Sequence, residues 1–379
     1  MRSWFRINFL FICSFSIILF SCERPKPPFN EWYQEKEGNL VVSGSSFTET
    51  ATFYSTDLMI DTIYRSMQGP FEIKPIAIDP NSEELLWITG YESKVLQAES
   101  NVTLGPAFMC HNNLDYGKAE QLPWQLKTSG ANHRIFTLSQ GQSKIQFPEG
   151  FGIPIPANQS LNMVSQVLNH HRPELFINTK HQSELKYLRE SEIDGEMKAL
   201  YQQAVFVTKQ LSGAEGDHGM PLSCLPYHDH EDSPKEADVD HDCSIEYSRE
   251  ADYNPYQDKY GRKFTGHWVI PYGPDTLRTN VSKMMDLDDS SRIHLISVHL
   301  HPYAEALELW DLSSNQLIYE ASFQKDSMNF GFKEIDYFSS KEGIPVYADH
   351  QYELVSAYDC TDSLNEHTAM AVMYLYLSE

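Results

Sequence analysis

Arg292-Ile293-His294-Leu295-Ile296-Ser297-Val298-His299-Leu300-His301 reads as a single strand. It is rich in β-branched and apolar residues, and neither glycine nor proline interrupts it. Successive side chains on a strand point to opposite faces, so His299 and His301 share one face and Leu300 takes the other. His294 falls on the second face, because an offset of five reverses sides. A later stretch, Thr368-Ala369-Met370-Ala371-Val372-Met373-Tyr374-Leu375-Tyr376, reads as another strand. Met370, Val372, Tyr374 and Tyr376 share a face there, and Met373 points into the opposite one. Two imidazoles and a thioether form a donor set that suits copper, since methionine sulfur is soft and favours Cu(I). The competing reading is packing. A methionine on a strand is ordinarily core, and an uncharged imidazole among apolar residues needs only a hydrogen bond.

The same texture extends outward. Leu86–Tyr91, Arg134–Leu138 and Ile145–Phe147 read as strands, the last running into a Pro148-Glu149-Gly150 turn, and Leu161–Asn169 alternates as a half-buried strand does. No sustained 3.6-residue apolar period occurs in this half. Leu211–Lys259 is rich in Asp, Glu, Gly, Pro and His, and reads as a loop or inter-domain insert. Strands resume over Lys263–Pro271, turn at Tyr272-Gly273-Pro274, and continue through Ala306–Leu312, Gln316–Phe323 and Tyr352–Tyr358. The pattern predicts an all-β chain with two β-domains of similar size, over 46–205 and 263–379, joined by an acidic, histidine-rich insert at 206–262.

The first residues read as an address rather than as fold. Arg2 and Arg6 precede an apolar run, Ile7–Phe20, too short and too basic at its flank for a spanning helix. Leu19-Phe20-Ser21-Cys22 resembles a bacterial lipobox, which implies a signal peptide over 1–21 and lipid on the Cys22 sulfur; an ordinary signal peptide with an incidental cysteine is the alternative. Residues 22–45, with Arg24-Pro25-Lys26-Pro27-Pro28, suit an extended tether. The expected location is the bacterial cell envelope, lipid-anchored, facing periplasm or exterior. Removing residues 1–21 leaves about 358, enough for two domains with real cores. The formal net charge of −24 would repel a phosphate backbone, so no nucleic-acid role is expected. Apart from Cys13 and Cys22, the cysteines are Cys110, Cys224, Cys243 and Cys360. In an oxidising compartment a disulfide is expected, and Cys224–Cys243 is favoured because it would close an otherwise loose acidic loop.

The common hydrolase signatures H-E-x-x-H and G-x-S-x-G are missing, as are the P-loop and C-x-x-C, which leaves histidines as the chemical signal. His299-x-His301 with Met370 resembles the C-terminal copper site of the type II ascorbate-dependent copper monooxygenases, the family of peptidylglycine α-hydroxylating monooxygenase and dopamine β-monooxygenase. Val269-Ile270-Pro271-Tyr272-Gly273 resembles that family's entry into its C-terminal domain. Phe147-Pro148-Glu149-Gly150-Phe151-Gly152 resembles a family turn, and Ser165-Gln166-Val167, just before His170, resembles a strand that carries a copper ligand. The similarity spans roughly 70–190 and 263–379. It implies two jelly-roll-like antiparallel β-sandwiches in tandem, with copper sites facing a cleft between them.

By that resemblance, His299, His301 and Met370 would form the oxygen-activating copper site, with Tyr374 near bound substrate. The N-terminal copper would store the second electron. There the sequence departs: Cys110-His111-Asn112-Asn113 replaces an adjacent histidine pair, so His111 is one ligand, Cys110 a thiolate or a buried cysteine, and His170 the third ligand after a small shift. His171 faces away and His133 is a spare surface candidate. Ser297 stands where peptide-hydroxylating members carry an arginine, and serine cannot clamp a carboxylate bidentately. The histidines of the insert, among them His218, His228, His230 and His241, read as incidental to a solvated acidic loop, and His267 begins a strand that could line the cleft.

The function expected from this is hydroxylation of a C–H bond in a small organic substrate, using O2, copper and ascorbate or another reductant. The alternative is a non-catalytic envelope lipoprotein that binds copper or another ligand in the same double sandwich. A weaker third reading is a glycan amidase, whose family shares a related architecture and would need clustered cleft carboxylates.

Overall fold

Ile177–Arg189 shows why this sequence becomes sheet. Thr179, His181, Ser183, Leu185 and Tyr187 are buried in strict alternation with more exposed neighbours, the period-2 signature of a strand covering a core. The computed structural model describes residues 48–64, 66–117, 134–170, 172–211, 253–326 and 331–378. Cys22, His133, His171, Cys224, Cys243 and the insert histidines named above lie outside the described residues.

The described chain is all-β. In the first half, one sheet has the order Glu49–Tyr54, Ile177–Arg189, Leu85–Gln97, Phe151–Pro156 and Lys198–Ala199, with Leu58–Ile60 and Lys144–Gln146 alongside. Its pairings are antiparallel except for Lys198–Ala199, which runs parallel to Phe151–Pro156. A second sheet orders Phe71–Ile76, Leu161–Val167, Met109–Tyr116 and Arg134–Ser139. The two pack face to face. Tyr91 stacks on Phe136 with ring centroids 5.5 Å apart, and its hydroxyl bonds Asn112 across the gap.

The second half repeats the scheme. Tyr201–Phe206, Ala371–Ser378, Ser291–Leu300 and Phe338–Val346 form one antiparallel sheet; Gly273–Asn280, Tyr352–Cys360, Ala304–Asp311 and Gln316–Glu320 form the other. Tyr201–Phe206 departs from the boundary read in the sequence: it pairs with Ala371–Ser378, so by hydrogen bonding it belongs to the second half's sheet. The α-helix Ser282–Met285 buries Met284 and Met285, and its Met284 carbonyl accepts from Gln203 Nε2 at 2.6 Å.

The joint between halves is tightly packed. The Tyr376 hydroxyl donates to the Ile135 carbonyl at 2.8 Å, and its ring meets Phe147 at 5.1 Å and Phe136 at 5.9 Å. Each such aromatic pair stabilises by about 0.5–1.5 kcal/mol beyond area burial. The Val298 N–H donates to Gln142 Oε1 at 3.1 Å, and the Ile335 N–H to the Gly141 carbonyl at 2.8 Å. Gly141 has φ +84°, and a Cβ there would come within 2.7 Å of Phe332, so both backbone and space demand glycine. Buried apolar residues of both halves join in one continuous cluster.

Candidate metal centre

The strand Ser291–Leu300 pairs with Ala371–Ser378 in a register that sets Leu295 against Tyr376, Ser297 against Tyr374 and His299 against Val372. Directly opposed residues share a face, and continuing the ladder sets His301 against Met370. The His301 N–H donates to the Met370 carbonyl at 3.3 Å, which closes that step. His299, His301, Met370 and Tyr374 therefore stand on one face of one sheet. The face is the one that meets the first half, since Tyr376, in the same row, bonds Ile135. The other face, with Ile296, Val298 and Leu300, lies in the core of the second half.

His294 is excluded for a reason the sequence did not carry. The ladder shifts register between Ile293 and Leu295, so His294 sits at a β-bulge. Its Nδ1 bonds the Ser340 carbonyl at 3.0 Å and its Nε2 lies 3.1 Å from Ser378 Oγ, so both ring nitrogens are engaged structurally.

His299 and His301 lie edge to face with ring centroids 5.2 Å apart. The Nδ1–H of His301 donates to the Thr368 carbonyl at 3.1 Å, which leaves Nε2 to carry the lone pair of the neutral ring. Such an Nδ1–H to carbonyl bond is the usual second partner of a metal-binding histidine. His299 is 7% exposed, and its Nδ1 is buried without a hydrogen-bond partner. An unpaired polar atom in that position costs on the order of 1–3 kcal/mol, and a bound cation would relieve it.

A third imidazole joins them. Trp268–Val269 pairs with Thr368–Ala369, so His267 immediately precedes a strand whose partner leads into Met370. His267 is fully buried, and its ring centroid is 5.1 Å from that of His301. A local turn holds it: Thr265 Oγ1 donates to the His267 carbonyl at 2.7 Å and accepts from the His267 N–H at 3.1 Å. Among the described residues, no three His, Cys, Asp or Glu side chains already converge as a coordinating group.

The electrostatics of the cluster are those of neutral rings. Burial pushes His299 down to about 3, with the charges of His111, His267 and Arg134 acting the same way. His301 is held well below its ordinary value by burial first, then by His299, His170 and His111. His267 is lowered by burial and then by His301. Neutral imidazole is the form that ligates metal.

The same interactions locate the first-half candidates. Asn112 points into the core of its own sandwich, so His111, the residue before it, takes the opposite face, toward His299. His111 is half-buried and lowered to about 3, by burial, then Arg134 and His181. His111 and His170 both come near enough that their charges oppose protonation of His301. Cys110 goes elsewhere. Its thiol is buried, bonds the Met67 backbone and is pushed up to about 12, so at neutral pH it is a thiol and not a ready thiolate donor. Cys110 and Cys360 are both free cysteines.

Ser297 is fully buried beside Tyr374. Arg134 reaches the same region from the first half, where it opposes protonation of both His111 and His299; its Nε bonds Asp115 at 2.8 Å.

One polar constellation had not been anticipated. Between the sheets of the first half, Asn112 Nδ2 bonds Ser165 Oγ at 2.9 Å, Ser183 Oγ bonds Asn112 Oδ1 at 3.2 Å and Ser93 Oγ at 3.1 Å, and His181 Nδ1 lies 3.2 Å from Ser93 Oγ. The signal was a polar stripe, His181 and Ser183, on the core face of an otherwise alternating strand.

Neither a protein-family model nor a curated protein matches the chain. Among solved structures, a peptide-N(4)-(N-acetyl-β-D-glucosaminyl) asparagine amidase is similar at 7% identity and TM-score 0.31, covering 87% of this chain and 96% of that one. The STIV MCP is similar at 10% identity and TM-score 0.29, with the same coverage. The ANXUR2 extracellular domain from Arabidopsis thaliana follows at 7% identity and TM-score 0.17, covering 86% and 89%.

Proposed function

We propose that the chain is a copper-binding oxidoreductase of the monooxygenase type, tethered to the cell envelope through Cys22, with its reactive centre at His299, His301 and Met370. The observation that carries the reading is the paired state of the two imidazoles. His301 has its Nδ1–H committed to Thr368, and His299 beside it has a buried ring nitrogen with no partner. Imidazoles with a neighbouring thioether fit copper in both common oxidation states better than zinc or a hard cation.

Copper bound there would supply one-electron redox chemistry with O2 and a reductant such as ascorbate. The chain's own residues have separate tasks. The two sheet strands fix the imidazoles in register, the Thr368 carbonyl holds the His301 tautomer, and the aromatic joint around Tyr376 excludes water from one flank. Tyr374, in the same row as His299, would contact a small organic substrate. With Ser297 where a clamping arginine would be needed, a peptide carboxylate is a poor substrate. The first-half site is the less complete one: His111 and His170 approach, while the Cys110 thiol is engaged by the Met67 backbone.

That asymmetry favours a second reading, a lipoprotein that binds copper without oxygenase turnover. One experiment separates them. The Cu(II) electron paramagnetic resonance signal of the loaded chain is followed through reduction by ascorbate and re-exposure to O2. The oxidoreductase reading expects the signal to vanish and return, and expects His299→Ala to abolish the cycle. A signal that ascorbate cannot remove, or that O2 cannot restore, selects binding alone.

A further inference from the structure

The resemblance that motivates copper provides two histidines and a methionine as ligands in this half and assigns no ligand role to His267. The structure puts more there. His267 and His301 each lie one residue outside the strands Trp268–Val269 and Ser291–Leu300, which pair with the segments on either side of Met370, and His299 stands two residues before His301 on the same face. His267 is fully buried and lies 5.1 Å, ring to ring, from His301, nearly the same separation as His299 to His301 at 5.2 Å. Two imidazoles that share one metal, each bound through a ring nitrogen at about 2.0–2.1 Å, have their centroids roughly this far apart. The His301 ring is thus almost equally far from two other imidazoles, and Met370 is held next to it through the His301 N–H bond to the Met370 carbonyl.

We propose that His267 is the third imidazole ligand of the copper centre, making the donor set three histidines with Met370 as the weaker soft ligand. The proposal rests on the copper reading above. The three rings do not yet converge, so closure requires ring rotation. The terminal χ2 torsion of histidine is broad and permits this without moving the strands. The backbone of His267 stays anchored meanwhile, because Thr265 Oγ1 bonds both its N–H and its carbonyl. A third imidazole would add a nitrogen donor of the kind that suits copper.

The test counts nitrogens. The full chain is loaded with copper(II) alone, and electron spin-echo modulation reads the number of coordinated imidazoles. The proposal expects three in the wild type and two in His267→Ala. It also expects His267→Ala to weaken copper binding by more than the roughly 10- to 100-fold that loss of an outer partner costs, while His267→Gln, of similar volume, keeps the wild-type circular dichroism and still loses one imidazole. Two imidazoles in the wild type, unchanged in both variants, would overturn the proposal and leave the copper reading standing. A chain that binds no copper would overturn both. The wild-type count stands by itself if either variant fails to fold.

Discussion

His301 and Met370 are cross-strand partners. The His301 N–H donates to the Met370 carbonyl at 3.3 Å, and the Tyr358 hydroxyl donates to the same oxygen at 2.5 Å. Two residues 69 apart in the chain are thereby fixed side by side on one face, and the methionine's backbone is held by donors from two other strands. The hydrogen bonds fix the backbone of Met370 and leave its thioether to pack or, on the proposed reading, to ligate.

Met370→Leu should isolate the chemical role. The swap conserves volume, so stability should fall by less than about 1.5 kcal/mol. Cu(I) affinity, read by competition with a chromogenic chelator, should drop clearly, while Cu(II) affinity changes less, because only the soft donor has gone. Equal loss for both oxidation states would mean that the sulfur is core filling.

Tyr376→Phe should loosen the joint between halves. It removes the hydroxyl that donates to the Ile135 carbonyl at 2.8 Å in a fully buried setting. A cost of about 1–3 kcal/mol is expected, seen as a lower urea midpoint with an unchanged slope. Copper content should stay at the wild-type level. An unshifted midpoint would show that the contact is energetically idle.

His181 should make the fold acid-sensitive. Burial pushes it from 6.5 down to about 4. Below pH 6.5 the unfolded chain takes up a proton that the folded chain refuses until about pH 4, so stability is lost as pH falls through that window. The slope contributed by one such group is at most about 1.4 kcal/mol per pH unit. His181→Gln should flatten the curve of urea-derived stability against pH between 6.5 and 4 by about that slope. His267, His299 and His301 act in the same direction, so some slope remains. Parallel curves for variant and wild type would contradict the assignment.

What the sequence makes legible here is local. Alternation alone places His299 and His301 on one face, and the composition of the strands gives the all-β class. Register over long separations is not local. Tyr201–Phe206 pairs with Ala371–Ser378, and Trp268–Val269 with Thr368–Ala369, and no pattern within either segment announces its partner. His267 is therefore only a candidate cleft residue in the sequence, and the pairing of the neighbouring Trp268 with Ala369 is what sets its ring against His301. Bulges are a second blind spot. One between Met109 and His111 and another at His294 break the parity that face assignments rely on. Asn112 illustrates the third: beside His111 it resembles a lost ligand, yet its side chain is the hub of a buried network with Tyr91, Ser165 and Ser183.

Copper content is the most direct test of the central claim. Wild type, His299→Ala and His301→Ala are each loaded with copper, desalted and assayed for metal per chain, with circular dichroism to confirm the β fold. The account predicts at least one tightly held copper in the wild type and one fewer in each variant. Folded variants that keep the full wild-type copper content would contradict it.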